Sequence, residues 1–203
     1  MRYLVTLLLL TATLTSFSQT PAGDDNHASL LSGKKKSLIA YAGQGHSFTL
    51  EVAPTAKLSD VPGFITVNKQ ILQSTLVPID KSIDLNNLTP AREQDILTSY
   101  MNFELSYYKK KLHQNYSNLT TQWITLQNRI FLVWYFDIPP DQKLISRQIY
   151  VSTIFFDQIM DLNAPVFQPN DVGKAKALLL RLAGTIKTYD THLDLTALQK
   201  KIR

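Results

Sequence analysis

From Leu119 to Val166 the chain is dominated by β-branched and aromatic residues, in four segments at 119–126, 129–136, 145–156 and 159–166. Short polar or proline breaks separate them at Gln127-Asn128, Pro139-Pro140-Asp141 and Asp157-Gln158. This pattern predicts four antiparallel strands. The segment 130–136 is apolar at every position, so it is expected to be central and covered on both faces. The segment 145–156 is mixed. Ile149, Val151 and Phe155 share one side, with Ser146, Arg147 and Gln148 near the sheet edge or the strand start. Pro165 is expected to limit the last strand.

Upstream, Phe48, Leu50 and Val52 alternate over 47–52 and predict a strand. Shorter strands are expected at 37–41, 64–67 and 70–77, with turns at 42–45 and Pro62-Gly63 and a loop over 80–87. A helix then starts at Thr89, whose hydroxyl can cap it, with Pro90 at the first helical position. Leu97, Met101, Leu105, Tyr108 and Leu112 fall on one face of it. Lys109, Lys110 and Lys111 stand in its last turn, where positive charge suits the helix dipole. A closing helix over 172–187 is capped by Asn170 or Asp171. Ala175, Leu179, Leu182 and Ile186 form its apolar stripe, widened by Val172 and Leu178, and Gly184 is its weak point. A short tail helix is expected over 194–202. Strands, helix, four strands and helix in that order predict an α+β fold. In it, a mostly antiparallel sheet is covered by helices as a helix–sheet–helix sandwich.

The strand pair before the capped helix, the meander 122–166 and the closing helix resemble the Mog1/PsbP-like α/β/α sandwich over about residues 45–190. The resemblance implies a mostly non-enzymatic domain: a Ran-binding factor, extrinsic photosystem subunits and bacterial surface lipoproteins share that fold. It lies in element order and apolar pattern, so it assigns no binding residue here. The chain departs from the lipoprotein members by lacking a lipobox cysteine. The rival fold is a cystatin/NTF2-like roll, against which the closing helix counts.

The first 18 residues read as a signal peptide: Arg2, an apolar run from Tyr3 to Leu14, and small residues Ser16 and Ser18 before cleavage at Gln19. The apolar run is too short for a hydrocarbon core of about 30 Å, so no stable membrane span is expected in the mature chain. Residues 19–36 read as a flexible linker, 37–190 as one domain, and 191–203 as a tail. There is no cysteine among the 203 residues. That excludes disulfides, thiolate metal ligands and a cysteine nucleophile, and fits a bacterial periplasm or surface. Only Glu51, Glu93 and Glu104 among the sixteen acids are glutamate, which favours turns and strands over helix. The net charge of +5 clusters only at 34–36 and 109–111. It reads as solvated charge, without the wide, aromatic-interleaved stripe of a nucleic-acid binder.

Candidate chemistry is sparse. His27, His46, His113 and His192 are scattered and form no metal-binding spacing, so no metal or cofactor is expected. Gly43-Gln44-Gly45-His46 lacks the third glycine and the Lys-Ser/Thr of a phosphate loop, as does Gly33-Lys34. There is no G-x-S-x-G elbow, and Ser47 beside His46 is only a sequence neighbour. Asp137 with Asp141, or Asp157 with Asp161, could pair as carboxylates, but loop solvation is the default. Trp123, Trp134 and Tyr135, with Tyr107 and Tyr108, could line a surface groove for sugar or peptide, although such rings more often pack a sheet against a helix. Asn87, Asn115 and Asn118 head glycosylation sequons by pattern alone. The reading is an exported, periplasmic or secreted bacterial domain that binds a protein or envelope partner. The alternative is a hydrolase with a loop-borne Asp/His site. A weaker third reading is small-ligand capture in an apolar cavity near Trp134.

Overall fold

The computed structural model describes residues 28–43, 45–59, 63–111, 115–139, 145–167 and 172–203. The leader, His27, Gln44, Pro62, Leu112, His113, Pro140, Asp141, Asn170 and Asp171 lie outside the described residues. In chain order the elements are β1 (Ser29–Leu31), β2 (Ser37–Ala42), β3 (Ser47–Val52), β4 (Lys57–Leu58), β5 (Phe64–Val67), β6 (Gln70–Pro78), α1 (Pro90–Lys111), β7 (Ser117–Leu126), β8 (Arg129–Asp137), β9 (Ile145–Phe155), β10 (Gln158–Phe167), α2 (Val172–Ala183), β11 (Lys187–Tyr189) and α3 (Leu195–Ile202).

These strands form two antiparallel sheets. The larger runs β4-β5-β6-β10-β9-β8-β7 and the smaller β1-β2-β3-β11. Two of the large sheet's hairpins turn on residue pairs with left-handed backbone. They are Asn68-Lys69 (φ 50 and 68) and Gln127-Asn128 (φ 49 and 61), as two-residue turns matched to strand twist require. β8 alternates as its sequence demands. Phe131 and Val133 join the core shared with α2 and the small sheet. Leu132, Trp134 and Phe136 join the core under α1. The strand is therefore covered on both faces, but it lies next to the edge strand β7 rather than at the centre.

α1 begins as expected, with the Arg92 amide donating to Thr89 Oγ1 at 3.2 Å, and it buries Leu97, Met101, Leu105 and Tyr108. α2 ends at Ala183, short of the expected 187. Gly184 closes it, its N–H donating a hydrogen bond to the Leu180 carbonyl, and Lys187 begins β11, which pairs with β3. β1 lies within the stretch read as linker. The tail is docked: Asp194 caps α3 through the Ala197 amide at 2.9 Å. Leu195, Leu198 and Ile202 then cover Leu31, Leu38 and Ala40 of the small sheet.

β10 continues through Pro165 to Phe167 along β9. Its ladder with β6 stops at Asn163, because proline has no N–H to give. The Gln70 side-chain amide takes the Pro165 carbonyl instead, at 2.7 Å. The two sheets are joined at Tyr41, whose buried Oη lies 2.8 Å from the Ser74 carbonyl and 2.7 Å from Ser74 Oγ on β6. Among the described residues no helix is long and apolar enough to cross a membrane.

Candidate functional site

The three aromatics expected to share a groove are separated by the strand period, which sends successive side chains to opposite faces. Trp134 is fully buried. Its ring stacks on Tyr150 at 3.8 Å and 4°, and its indole N–H donates to Ser152 Oγ at 3.2 Å. Tyr135, the next residue, is half-buried with the α2 core. Trp123 sits on β7 opposite Leu132 and is 38% exposed. Trp134 is thus core, as the packing reading of these rings has it, and Trp123 is at the surface. The rings of Tyr150, Phe136 and Tyr108 pack around Trp134 where a ligand cavity was the third reading.

Beneath α1 lies a polar network centred on Asp161. Ser152 Oγ donates to Asp161 Oδ1 at 2.5 Å and Asn163 Nδ2 to Oδ2 at 3.2 Å. Asn163 Nδ2 also lies 3.3 Å from Gln73 Oε1, and Gln148 Nε2 donates to Asn163 Oδ1 at 3.1 Å. The hydroxyls of Tyr108 and Tyr150 are hydrogen-bonded to one another at 3.1 Å. Burial pushes the Asp161 carboxyl up to about 7, although bonds from Ser152 and Asn163 pull it down. Glu104 on α1 is pushed to about 7 by burial and then by the charge of Asp161. Asp161 is 1% exposed, and its two oxygens are occupied by donors, so this acid serves the interior. Loop solvation, the default for Asp157 and Asp161, holds for Asp157 and fails for the buried Asp161. Asp157 is exposed in a turn, and the carboxyl that the charge of Asp161 raises is that of Glu104. Two signals for this pair stood in the sequence. Asp161 interrupts an apolar strand, and Glu104 falls in the helical stripe between Met101 and Tyr108.

The loop-borne acids and imidazoles are partly brought together. His46 Nε2 lies 3.5 Å from Asp157 Oδ1, and its ring stacks on Phe156. Ser47 is buried, with Oγ donating to the Thr191 carbonyl and accepting from the Leu193 amide. That hydroxyl holds the 191–193 loop and is not presented to His46. His192 lies against the Gly43 carbonyl. Asp137 is held by Asn118 Nδ2 at 2.6 Å and Arg147 Nε at 2.5 Å. Burial raises its pKa, but these partners outweigh that and lower it overall. Among the described residues no cluster of three or more His, Asp or Glu could hold a metal ion.

The feature that faces outward is β7. It is the outermost strand of the large sheet, ten residues long, and exposed along nearly its whole length. Its sequence, Ser-Asn-Leu-Thr-Thr-Gln-Trp-Ile-Thr-Leu, holds no ionisable residue and no proline. Leu119 and Trp123 are among the large apolar side chains left exposed. A β-bulge lies between Ser117 and Thr120, at its N-terminal end only. The opposite edge, β4, has two residues. The missed signal was this absence of charge, since lysine and proline are what commonly blunt an edge.

No known family profile matches the chain, and no curated protein matches it. Among solved structures it is similar to the solution structure of cyanobacterial PsbP (CyanoP) from Synechocystis sp. PCC 6803. The likeness has 12% identity and a TM-score of 0.49, covering 84% of this chain and 100% of that one.

Proposed function

We propose that the chain is an exported binding or accessory domain that works without catalysis, taking an extended segment of a protein partner along β7. The observation that carries this is the ten-residue, uncharged, exposed edge strand. Such an edge offers a row of main-chain donors and acceptors, and strand addition uses them for affinity. The secretory pattern of the first 18 residues and the lack of cysteine support export. The interior acids support a non-catalytic reading, because both oxygens of Asp161 are engaged within the core.

The test is amide hydrogen exchange of the chain with and without envelope extract. The β7 amides that point away from β8 are expected to gain protection in the extract. A Thr121→Lys, Trp123→Lys double variant, which adds charge to the exposed edge, should abolish that gain while keeping the melting temperature. Unchanged exchange on β7, with protection appearing elsewhere, overturns the reading.

A further inference from the structure

We propose that the segment β7 accepts is β7 of a second copy of this chain, paired antiparallel about a two-fold axis perpendicular to the sheet. The inference rests on the reading of β7 as a binding edge and names the partner. Three observations carry it. The first is charge. In a self-paired strand every side chain faces a symmetry-related neighbour, and like charges directly opposite are destabilising. From Ser117 to Leu126 there is no ionisable residue, so self-pairing meets no repulsion within the strand. The second is closure. The other edge of the large sheet is the two-residue β4, too short to receive a ten-residue strand. Edge-to-edge growth from head to tail therefore has nowhere to continue. Pairing β7 with β7 consumes the long edge of both copies, which is the isologous, closed arrangement of a dimer.

The third is what is left uncovered. Trp123 is 38% exposed and stands at the middle of the stretch 120–126, which runs along β8 without a register shift. A register centred on Trp123 sets it against Trp123 of the second copy and sets Thr121 against Thr125. Aromatic cross-strand pairs of this kind stabilise antiparallel ladders. The bulge at Ser117 to Thr120 marks where the pairing ends.

The test uses sedimentation velocity and disulfide trapping on the full chain. Its lack of any cysteine makes trapping free of background. Wild type is expected to move from monomer to twice that mass as concentration rises. The Thr121→Lys, Trp123→Lys variant should stay monomeric with an unchanged circular dichroism spectrum. Because the variant keeps the apolar leader, association driven by the leader would persist in it, and persistence overturns the proposal. Single cysteines at 119 to 125 are then oxidised with copper phenanthroline. Opposed residues across an antiparallel pair lie about 4.5–5.5 Å apart at Cα, within disulfide reach. Trp123→Cys should be trapped as dimer at least several-fold faster than Ser99→Cys on the exposed side of α1. Equal rates at both sites, or a monomer at every concentration, overturn the proposal. A monomer whose β7 amides still gain protection in envelope extract removes the second copy alone. A monomer with no such gain removes the binding edge as well.

Discussion

Asp161 and Glu104 face one another between α1 and the sheet, with Tyr100, Tyr108 and Tyr150 around them. Burial first raises all three phenols; the neighbouring acids add to it, and at Tyr150 the Tyr108 hydroxyl adds more than they do. Both carboxyls titrate near 7 in the folded chain, against about 4 for an exposed carboxyl. Between about pH 4 and 7 the folded chain therefore holds protons that the unfolded chain has released. The stability tied to this pair is complete below about pH 4, falls as pH rises through the window, and levels above about 7. Asp161→Asn removes the charge but sets an amide donor against Asn163 Nδ2, a cost that does not depend on pH. The readout is therefore the slope. Melting temperature should fall less steeply from pH 4.5 to 7.5 in Asp161→Asn and in Glu104→Gln than in wild type, by several degrees at roughly 2–4 °C per kcal/mol. Parallel curves would show that the two acids are solvated. The pair titrates as a unit, so the two variants should not add.

At the scale of elements, the small sheet is held to the large one by the Tyr41 phenol and by the core that Tyr41, Phe48 and Phe155 share. Tyr41→Phe leaves the Ser74 carbonyl without its phenol donor. A loss of about 1–2 kcal/mol is expected, read as a lower urea midpoint with an unchanged slope. Gly33 closes the other side of that sheet. A Cβ there would stand 2.3 Å from the Ile202 carbonyl oxygen and 2.4 Å from that of Lys36. Gly33→Ala should therefore push α3 away and cost about 1–3 kcal/mol, seen as faster amide exchange in α3 before any change in β8 or β9. Elements of this kind divide into those the sequence shows and those it hides. β3, β6, β8 and α1 span enough residues for period two or 3.6 to register, and Thr89-Pro90 announced the helix start. β1, β4 and β11 have two or three residues each, too few to carry a period. β11 exists because β3, with Ser47 facing Tyr189, offers it a ladder from far along the chain. The same limit hid the acid pair. One residue out of pattern in β10 and one in α1 gain meaning only when packing sets them together. Trp134 and Tyr135 looked like one feature because they are adjacent, and adjacency in a strand means opposite faces.

At the scale of the whole molecule, the same sheet is sealed in its interior and open at one edge, and the chain's two tryptophans report on these regions separately. Trp134 is shut between β9 and α1, so its emission follows global unfolding. Trp123 stands on the open edge, so its emission follows whatever covers β7. Burial of an indole takes it out of water and shifts its fluorescence to the blue. A Trp134→Phe variant keeps Trp123 as the single reporter. It loses packing, by about 1–3 kcal/mol, within the range for a large core ring replaced by a smaller one, and Ser152 Oγ loses its indole donor. Its emission should move to the blue as protein concentration rises, along the same curve as the mass from sedimentation. Adding Thr121→Lys should hold the emission red at every concentration. Trp123→Phe, which keeps Trp134, should show emission independent of concentration. If Trp123 emission stays red while the mass doubles, the copies meet somewhere other than β7. The small sheet, whose β2 is wholly buried and whose outer face is covered by α3, would then leave the basic end around Lys34, Lys200 and Arg203 as the next surface to mutate.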